Sequence, residues 1–296
     1  MEAKSSIFII GAPRSGTTLL GKILSSSPSV TYFEEPNVIW RYKNWKKHGH
    51  EEFSKDDATD DVKDFIRKNF SINGSVFIEK TPANALRLDF IREIYPNAKF
   101  IFLYRNSEAV VKSMKKKWLY EDDKNGASLG DDIPFRQLRL QATRFKAVPY
   151  VDKPFYFKTA INELMFQFFG KKRSFWGPQY KNFREDAKLG DIDYICHKQW
   201  NLLTSKMIDF SAGLPEESYF ELTYEHLVKE PSHWVIKLAN FCGINDLTHS
   251  TKLISTAKVI TESSSLLQKQ DAELVELYDQ NCKYLNALNE KLTMSS

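Results

Sequence analysis

Gly11 and Gly16 bracket four residues, Ala12 to Ser15, directly after the apolar run Ser6–Ile10 and directly before the helical pattern Thr17–Ser26. At a strand-to-helix turn of this kind, backbone N–H groups at the helix N-terminus surround an anion. In an ATP- or GTP-binding loop the second glycine is followed by Lys, which reaches the outer phosphates, and then by a Ser or Thr that holds Mg²⁺. Here Gly16 is followed by Thr17 and Thr18, and the cation stands earlier, at Arg14. The segment keeps an anion cradle and drops the usual triphosphate and metal equipment. The glycine spacing alone would suit any βα turn. Strand, loop and helix in this order make it an anion site.

Other residues able to do chemistry fall at similar places. Arg105 ends the apolar run Lys99–Tyr104, and Ser113 lies in the following helical pattern, Glu108–Leu119. With Ser107 as N-cap, Ser113 is about two turns in and able to face the strand end. Arginine contacts to phosphate are charge-assisted and can be bidentate, although by themselves these two would read as a surface arginine and a helix serine. Glu34 and Glu35 follow Val30–Phe33, Lys80 follows Val76–Glu79, and Tyr224 follows Tyr219–Thr223. Arg14, Glu35, Lys80, Arg105 and Tyr224 thus each sit at the C-terminal end of a different strand candidate. In an open α/β sheet that edge is where ligands bind. Metal-ligand spacing is absent from the chain, and His48 and His50 sit in the basic run KKHGH, which reads as solvated surface.

The elements that must position these residues alternate along the chain. Apolar strand candidates rich in Ile, Phe and Val are separated by helical patterns at Thr17–Ser26, Asn84–Tyr95, Glu108–Leu119 and Pro231–Cys242. That alternation predicts an α/β, P-loop-type three-layer fold, with a central mostly parallel sheet and helices on both faces. From about 120 to 200 the rhythm breaks into an aromatic, basic, helix-leaning stretch, read as a helical insertion on a single domain spanning 1–296. Residues 271–292 carry apolar residues at helical spacing and predict a C-terminal amphipathic helix packed on the core.

Bulk properties narrow the class. A 42% hydrophobic, 27% charged chain of 296 residues can bury a sizeable core. A net charge of +4 suits a small anionic ligand without requiring nucleic acid. The runs KSMKKKW (112–118) and KKR (171–173) read first as solvated faces. No apolar run approaches the roughly 18 residues of a membrane span, and the N-terminus reads as a buried first strand, not a signal peptide. Cys196, Cys242 and Cys282 are odd in number and widely spaced, so disulfides and a cysteine metal site are not expected. The expectation is a cytoplasmic protein.

Beyond these readings, PRSGTTLL resembles the 5′-phosphosulfate loop of sulfotransferases that use 3′-phosphoadenosine 5′-phosphosulfate (PAPS). Its arginine form is closer to the protein-tyrosine and carbohydrate branches than to the cytosolic steroid and phenol branch. KFIFLYRNSEAVVKSM is similar to the family's 3′-phosphate motif, with Arg105 and Ser113 in its two phosphate-binding positions. TYEHLVKEP resembles the segment in which the tyrosine, here Tyr224, contributes to the nucleotide pocket; His226 stands where the family has an acid or amide. The resemblance covers residues 7–35, 77–114 and roughly 200–243.

It implies PAPS as cofactor, adenosine 3′,5′-bisphosphate (PAP) as product and no metal. Arg14, Ser15, Gly16, Thr17 and Thr18 would hold the 5′ side. Arg14 and Lys80 would supply positive charge, Lys80 keeping the family's separation from Arg105. Glu35, placed after Arg14 as the family's glutamate base is, would be the general base, with Glu34 the adjacent competitor. The partner would be a hydroxyl-bearing acceptor: carbohydrate, glycolipid, tyrosine or small metabolite. The middle segment would shape its pocket through aromatics such as Phe155, Phe168 and Trp176, and residues 258–269 correspond to a nucleotide lid. The competing readings are a P-loop small-molecule kinase and a non-catalytic sulfotransferase-like binding module.

Overall fold

The computed structural model describes residues 5–70, 74–119, 176–247 and 271–295. The expected lid and most of the middle aromatics lie outside the described residues. Strands β1 (Ser5–Ile10), β2 (Val30–Glu34), β3 (Val76–Lys80), β4 (Lys99–Tyr104) and β5 (Tyr219–Thr223) form one five-stranded sheet in the order β2-β3-β1-β4-β5. Every pairing is parallel. Parallel strands need crossover connections, which is why helices separate them in sequence. The chain moves first to one side of β1 and then, at β4, to the other, so the strand order reverses at β1, where a crevice opens beyond the strand ends.

Ile7, Phe8, Ile9 and Ile10 are all completely buried. Burial of consecutive residues means that both faces of β1 are covered. One face is aromatic: Phe8 lies against Phe77, Phe100, Trp40 and Tyr95. Helices α2 (Asn37–Trp40), α4 (Asp60–Asn69) and α5 (Leu88–Ile94) cover it on the β2–β3 side. Farther along, Phe100 and Phe102 meet Phe210 of α8 (Ile192–Ser211), which follows the short α7 (Phe183–Leu189). The opposite face, with Ile9, Ile78 and Ile101, receives α1 (Thr17–Leu24) and α10 (Pro231–Cys242). Gly21 of α1 is required there, because a Cβ would fall 2.3 Å from the Tyr32 hydroxyl of β2.

The structure departs from sequence expectation in three places. The helix predicted over Asn84–Tyr95 is split into a 3₁₀ turn, Pro82–Leu86, and α5. Arg87 leaves helical geometry (φ −144°), its side chain turned inward to donate through Nε to Asn84 Oδ1. Second, the N-cap of α6 (Ser107–Trp118) is Asn106, not Ser107: its side chain accepts from Ala109 N–H. Third, α8 runs without a break through residue 200, where the sequence rhythm places the end of the insertion. It packs on α6 and on the C-terminal helix α11 (Ala272–Met294).

Short helix α3 (Asn44–His48) and the 3₁₀ turn Lys55–Asp57 follow α2, and His48 and Asp57 line a groove apart from the strand ends. Burial works against ionisation of Asp57, yet hydrogen bonds from Lys47, His48 and the Ser54 N–H outweigh it and hold this carboxyl well below the usual range. A depressed native pKa contributes stability that is complete above the unfolded value, about 3.9, and is lost as pH falls toward the native one. Asp57→Asn should therefore lower stability at pH 7 by roughly 1–2 kcal/mol. Denaturant titrations should find that the gap narrows below about pH 4.

Candidate functional site

The Gly11–Thr18 segment leaves β1 and enters α1 with two successive demands on its backbone. Arg14 adopts a left-handed conformation (φ 70°), as does Gly16 (φ 94°). Such turns aim consecutive N–H groups at one point, and the helix dipole adds positive potential there. Gly11 has no room for a side chain, since a Cβ would lie 2.7 Å from Leu103 O, Ser15 Oγ and Thr17 Cγ2. Ser15 is buried and its hydroxyl donates to Ala12 O, which locks the turn from within. Among the loop residues, Pro13, Arg14, Thr17 and Thr18 line the neighbouring cleft.

Across the switch point, the end of β4 meets this loop. Arg105 Nη1 donates to Arg14 O at 2.8 Å, and Arg14 Nε donates to Ser113 Oγ at 2.9 Å. The two segments read separately as anion-binding are thus in direct contact. The Arg105 guanidinium lies over the Tyr224 ring, 4.1 Å from its centroid. Tyr224 opens α9 (Tyr224–Lys229) and is itself packed against Gly16. Burial lowers the Arg105 pKa from its ordinary value, against the opposing influence of Tyr224 and Glu225. Its Nε is buried and has no hydrogen-bond partner among the described residues.

At the other side of β1, β2 and β3 end in register, Glu34 opposite Lys80. Glu35 continues past the strand in a left-handed conformation (φ 52°), its N–H bonded to Lys80 O. Lys80 reaches back from a fully enclosed position, its side chain 1% exposed, and places Nζ 2.7 Å from Glu35 Oε1 and 3.4 Å from Glu34 Oε1. Glu34 also accepts from Thr18 Oγ1 at 3.2 Å. The two carboxylates therefore differ: Glu34 is tied to the loop, while Glu35 holds the shorter contact to Lys80 and lines the cleft.

That cleft, of about 330 Å³, is bordered by Arg14, Thr17, Glu35, Lys80, Lys117 and Trp176, among others. It lies at the carboxyl ends of the strands, as expected for a parallel sheet. A larger groove of about 890 Å³ lies elsewhere and is lined by none of the residues assigned to the site from the sequence. Size does not choose between them; convergence of charge does.

Residues 6–148 match the model of the Sulfotransferase family. Over these residues the chain is similar to that family. Protein-tyrosine sulfotransferase 1 of Danio rerio is 35% identical over 122 residues, covering 36% of this chain and 34% of that protein. Nodulation protein NoeE of Sinorhizobium fredii (strain NBRC 101917 / NGR234) is 28% identical over 130 residues, covering 38% of this chain and 31% of that protein. The match spans about a third of the length of these curated relatives. Among solved structures, the sulfotransferase domain from the Synechococcus PCC 7002 olefin synthase superposes with a TM-score of 0.51 at 14% identity, covering 95% of each chain. At that identity the likeness is one of fold: the α/β, P-loop-type architecture.

Sequence reasoning missed the buried groups at and beneath the cleft. Glu79, Arg87 and Glu51 are each no more than 1% exposed. Burial opposes ionisation of Glu51, but Arg41 and Arg87 outweigh it and lower its pKa, with the Gln179 N–H also bonded to it. Glu79 had a legible signal, an acid inside the otherwise apolar strand Val76–Lys80. Glu51, which meets its partners only through tertiary contacts, had none.

Proposed function

We propose that this protein is a sulfotransferase that moves a sulfuryl group from PAPS to a hydroxyl of an acceptor. The observation that carries the reading is the Lys80–Glu35 contact of 2.7 Å, which opens on the same cleft as a phosphate-type loop whose cation is Arg14. A kinase loop would put its lysine after Gly16; this one has Thr17. The residues present fit PAPS. The cramped cradle at Gly11 and Gly16 leaves backbone N–H groups for one anion. Arg105 has an orphaned buried Nε, and its neighbour Ser113 is already held through Arg14, which supports a second anion at this corner.

In this reading the 5′ side is held by Arg14, Ser15, Gly16, Thr17 and Thr18, and the 3′-phosphate by Arg105 and Ser113. Tyr224 packs beneath the nucleotide. When bound, PAPS supplies the activated sulfuryl group and leaves as PAP. Arg14 and Lys80 present positive charge where charge develops, which is the largest kind of contribution such sites make. Glu35 accepts the proton of the acceptor hydroxyl, and its backbone bond to Lys80 O keeps it oriented for that role. Glu34, occupied by Thr18, serves the loop. Tyrosyl and carbohydrate hydroxyls head the acceptor classes to test, and the activity calls for no metal.

The test is transfer of labelled sulfate from PAPS to a panel of hydroxyl acceptors, with PAP and ATP compared as ligands. The expected result is transfer to at least one class, binding of PAP at least tenfold tighter than ATP, and a loss on the order of 10²–10⁴ in rate for Glu35→Gln. Binding of ATP as tight as PAP, with Mg²⁺-dependent turnover, would overturn the reading in favour of a kinase.

A further inference from the structure

Strand alternation sends Glu79 and Lys80 to opposite faces of β3. Lys80 goes to the α1 face and meets Glu35. Glu79 goes to the aromatic face, where Phe8 of β1 and Phe33 of β2 are its register partners. It is completely buried there. A carboxyl among phenylalanines costs several kcal/mol unless hydrogen bonds compensate, so its partners report what it is for.

There are three, all donors, and they come from the two segments that carry the candidate catalytic pair. Thr81 Oγ1 and Trp40 Nε1 donate to Glu79 Oε1, the latter at 3.0 Å, and Asn84 Nδ2 donates to Oε2. Thr81 is covalently next to Lys80, and Asn84 sits in the 3₁₀ turn whose Pro82 and Ala83 line the cleft. Trp40 ends α2, which begins two residues after Glu35. The network continues from Asn84 Oδ1 to Arg87, whose guanidinium is 4.0 Å from Glu51, and Glu51 holds Arg41 and the Gln179 N–H beside the cleft.

We propose that Glu79 is a positioning residue of this site, clamping the turn after β3 to helix α2 from below so that Lys80 and Glu35 stay aligned. The inference rests on the sulfotransferase reading for its catalytic consequence, but not for its geometry. Burial raises the Glu79 carboxyl to about 7, even against its hydrogen bonds and nearby cations. What the three donors require is an acceptor at every lone pair they address. Glutamine matches the shape and puts an N–H₂ donor against another donor. Asn84 cannot simply turn over to accept it, because its Oδ1 already takes the Arg87 Nε–H.

The experiment uses Glu79→Gln and the milder Trp40→Phe, which keeps an aromatic ring and removes one donor. Three quantities are read in the full chain: kcat, PAP affinity, and trace acetylation of Lys80 in the free protein, normalised to an exposed lysine such as Lys47. For Glu79→Gln the expectation is a fall in kcat of tenfold or more, PAP affinity within threefold of wild type, and Lys80 acetylation raised at least threefold. Trp40→Phe should move kcat and acetylation in the same direction by less. Wild-type kcat and wild-type Lys80 protection in Glu79→Gln would overturn the proposal, as would equal losses in kcat and PAP affinity. If Glu79→Gln does not fold, Trp40→Phe decides by the same criteria. If wild-type protein transfers sulfate to no acceptor, the functional reading falls and the acetylation measurement alone decides the role of Glu79.

Discussion

Lys80→Met is expected to reduce sulfate transfer by a factor of about 10²–10³, the effect of removing one preorganised charge from a site of developing negative charge. Little stability should be lost with it. The lysine stem is enclosed, its side chain 1% exposed, and methionine fills a similar volume. The partners left behind, Glu34 and Glu35, are each 41% exposed, so water can solvate them once the ammonium is gone. Deleting a buried charge whose counter-ions keep access to water avoids the large penalty of stranding a charge in the interior. PAP affinity should change much less than rate, because Lys80 contacts the carboxylates, while the proposed nucleotide ligands Arg14, Arg105 and Ser113 bond to one another apart from it. Single-turnover transfer, with PAP binding and thermal unfolding measured alongside, checks this. Lys80→Arg should not restore wild-type rate, since a planar fork does not reproduce a compact ammonium in an enclosed channel.

Gly16→Ala is the second large expected effect, and it acts through packing. At φ 94° an L-residue is strained by about 1–2 kcal/mol. In addition, the new Cβ would lie 2.4 Å from Tyr224 Cδ2. The ring has no easy retreat, because the Arg105 guanidinium sits over it, 4.1 Å from the centroid. Overpacking of this kind typically costs about 1–3 kcal/mol more. Displacing Tyr224 also displaces Arg105, so PAP affinity should fall at least tenfold. Gly190→Ala is the control: that glycine has φ 78°, and a Cβ placed on it would meet nothing within 4 Å among the described residues, so it carries strain without collision. Calorimetric PAP titration and melting curves of both variants separate the two contributions. Equal losses in the two would show that the Tyr224 contact is unimportant.

Much of this architecture was legible in the chain. Each strand candidate proved to be a strand, because runs such as Ile7–Ile10 must be buried on both faces and only a covered parallel sheet does that to consecutive residues. The Gly11–Thr18 loop was legible because its constraint is local: a left-handed turn feeding a helix needs glycine at fixed spacing. Arg14, Glu35, Lys80, Arg105 and Tyr224 were each singled out by their position after a strand, and parallel pairing brings such positions to one edge.

What the chain did not reveal is how those residues touch. Nothing local joins Arg105 to the carbonyl of Arg14, or Arg14 to Ser113; those contacts exist because β4 lies beside β1. The distinction between Glu34 and Glu35 likewise required register, which sets Glu34 opposite Lys80 and leaves Glu35 to turn into the cleft. Glu79 is the sharpest case. Its position in an apolar strand announces that it is unusual, but only the packing of α2 and the post-β3 turn supplies the three donors that make a buried carboxyl tolerable. Periodicity, turn chemistry and the order of elements follow from sequence, since these depend on neighbours along the backbone. Which side chains share a proton or a charge depends on distances between strands and helices far apart in the chain, and only the folded sheet sets those.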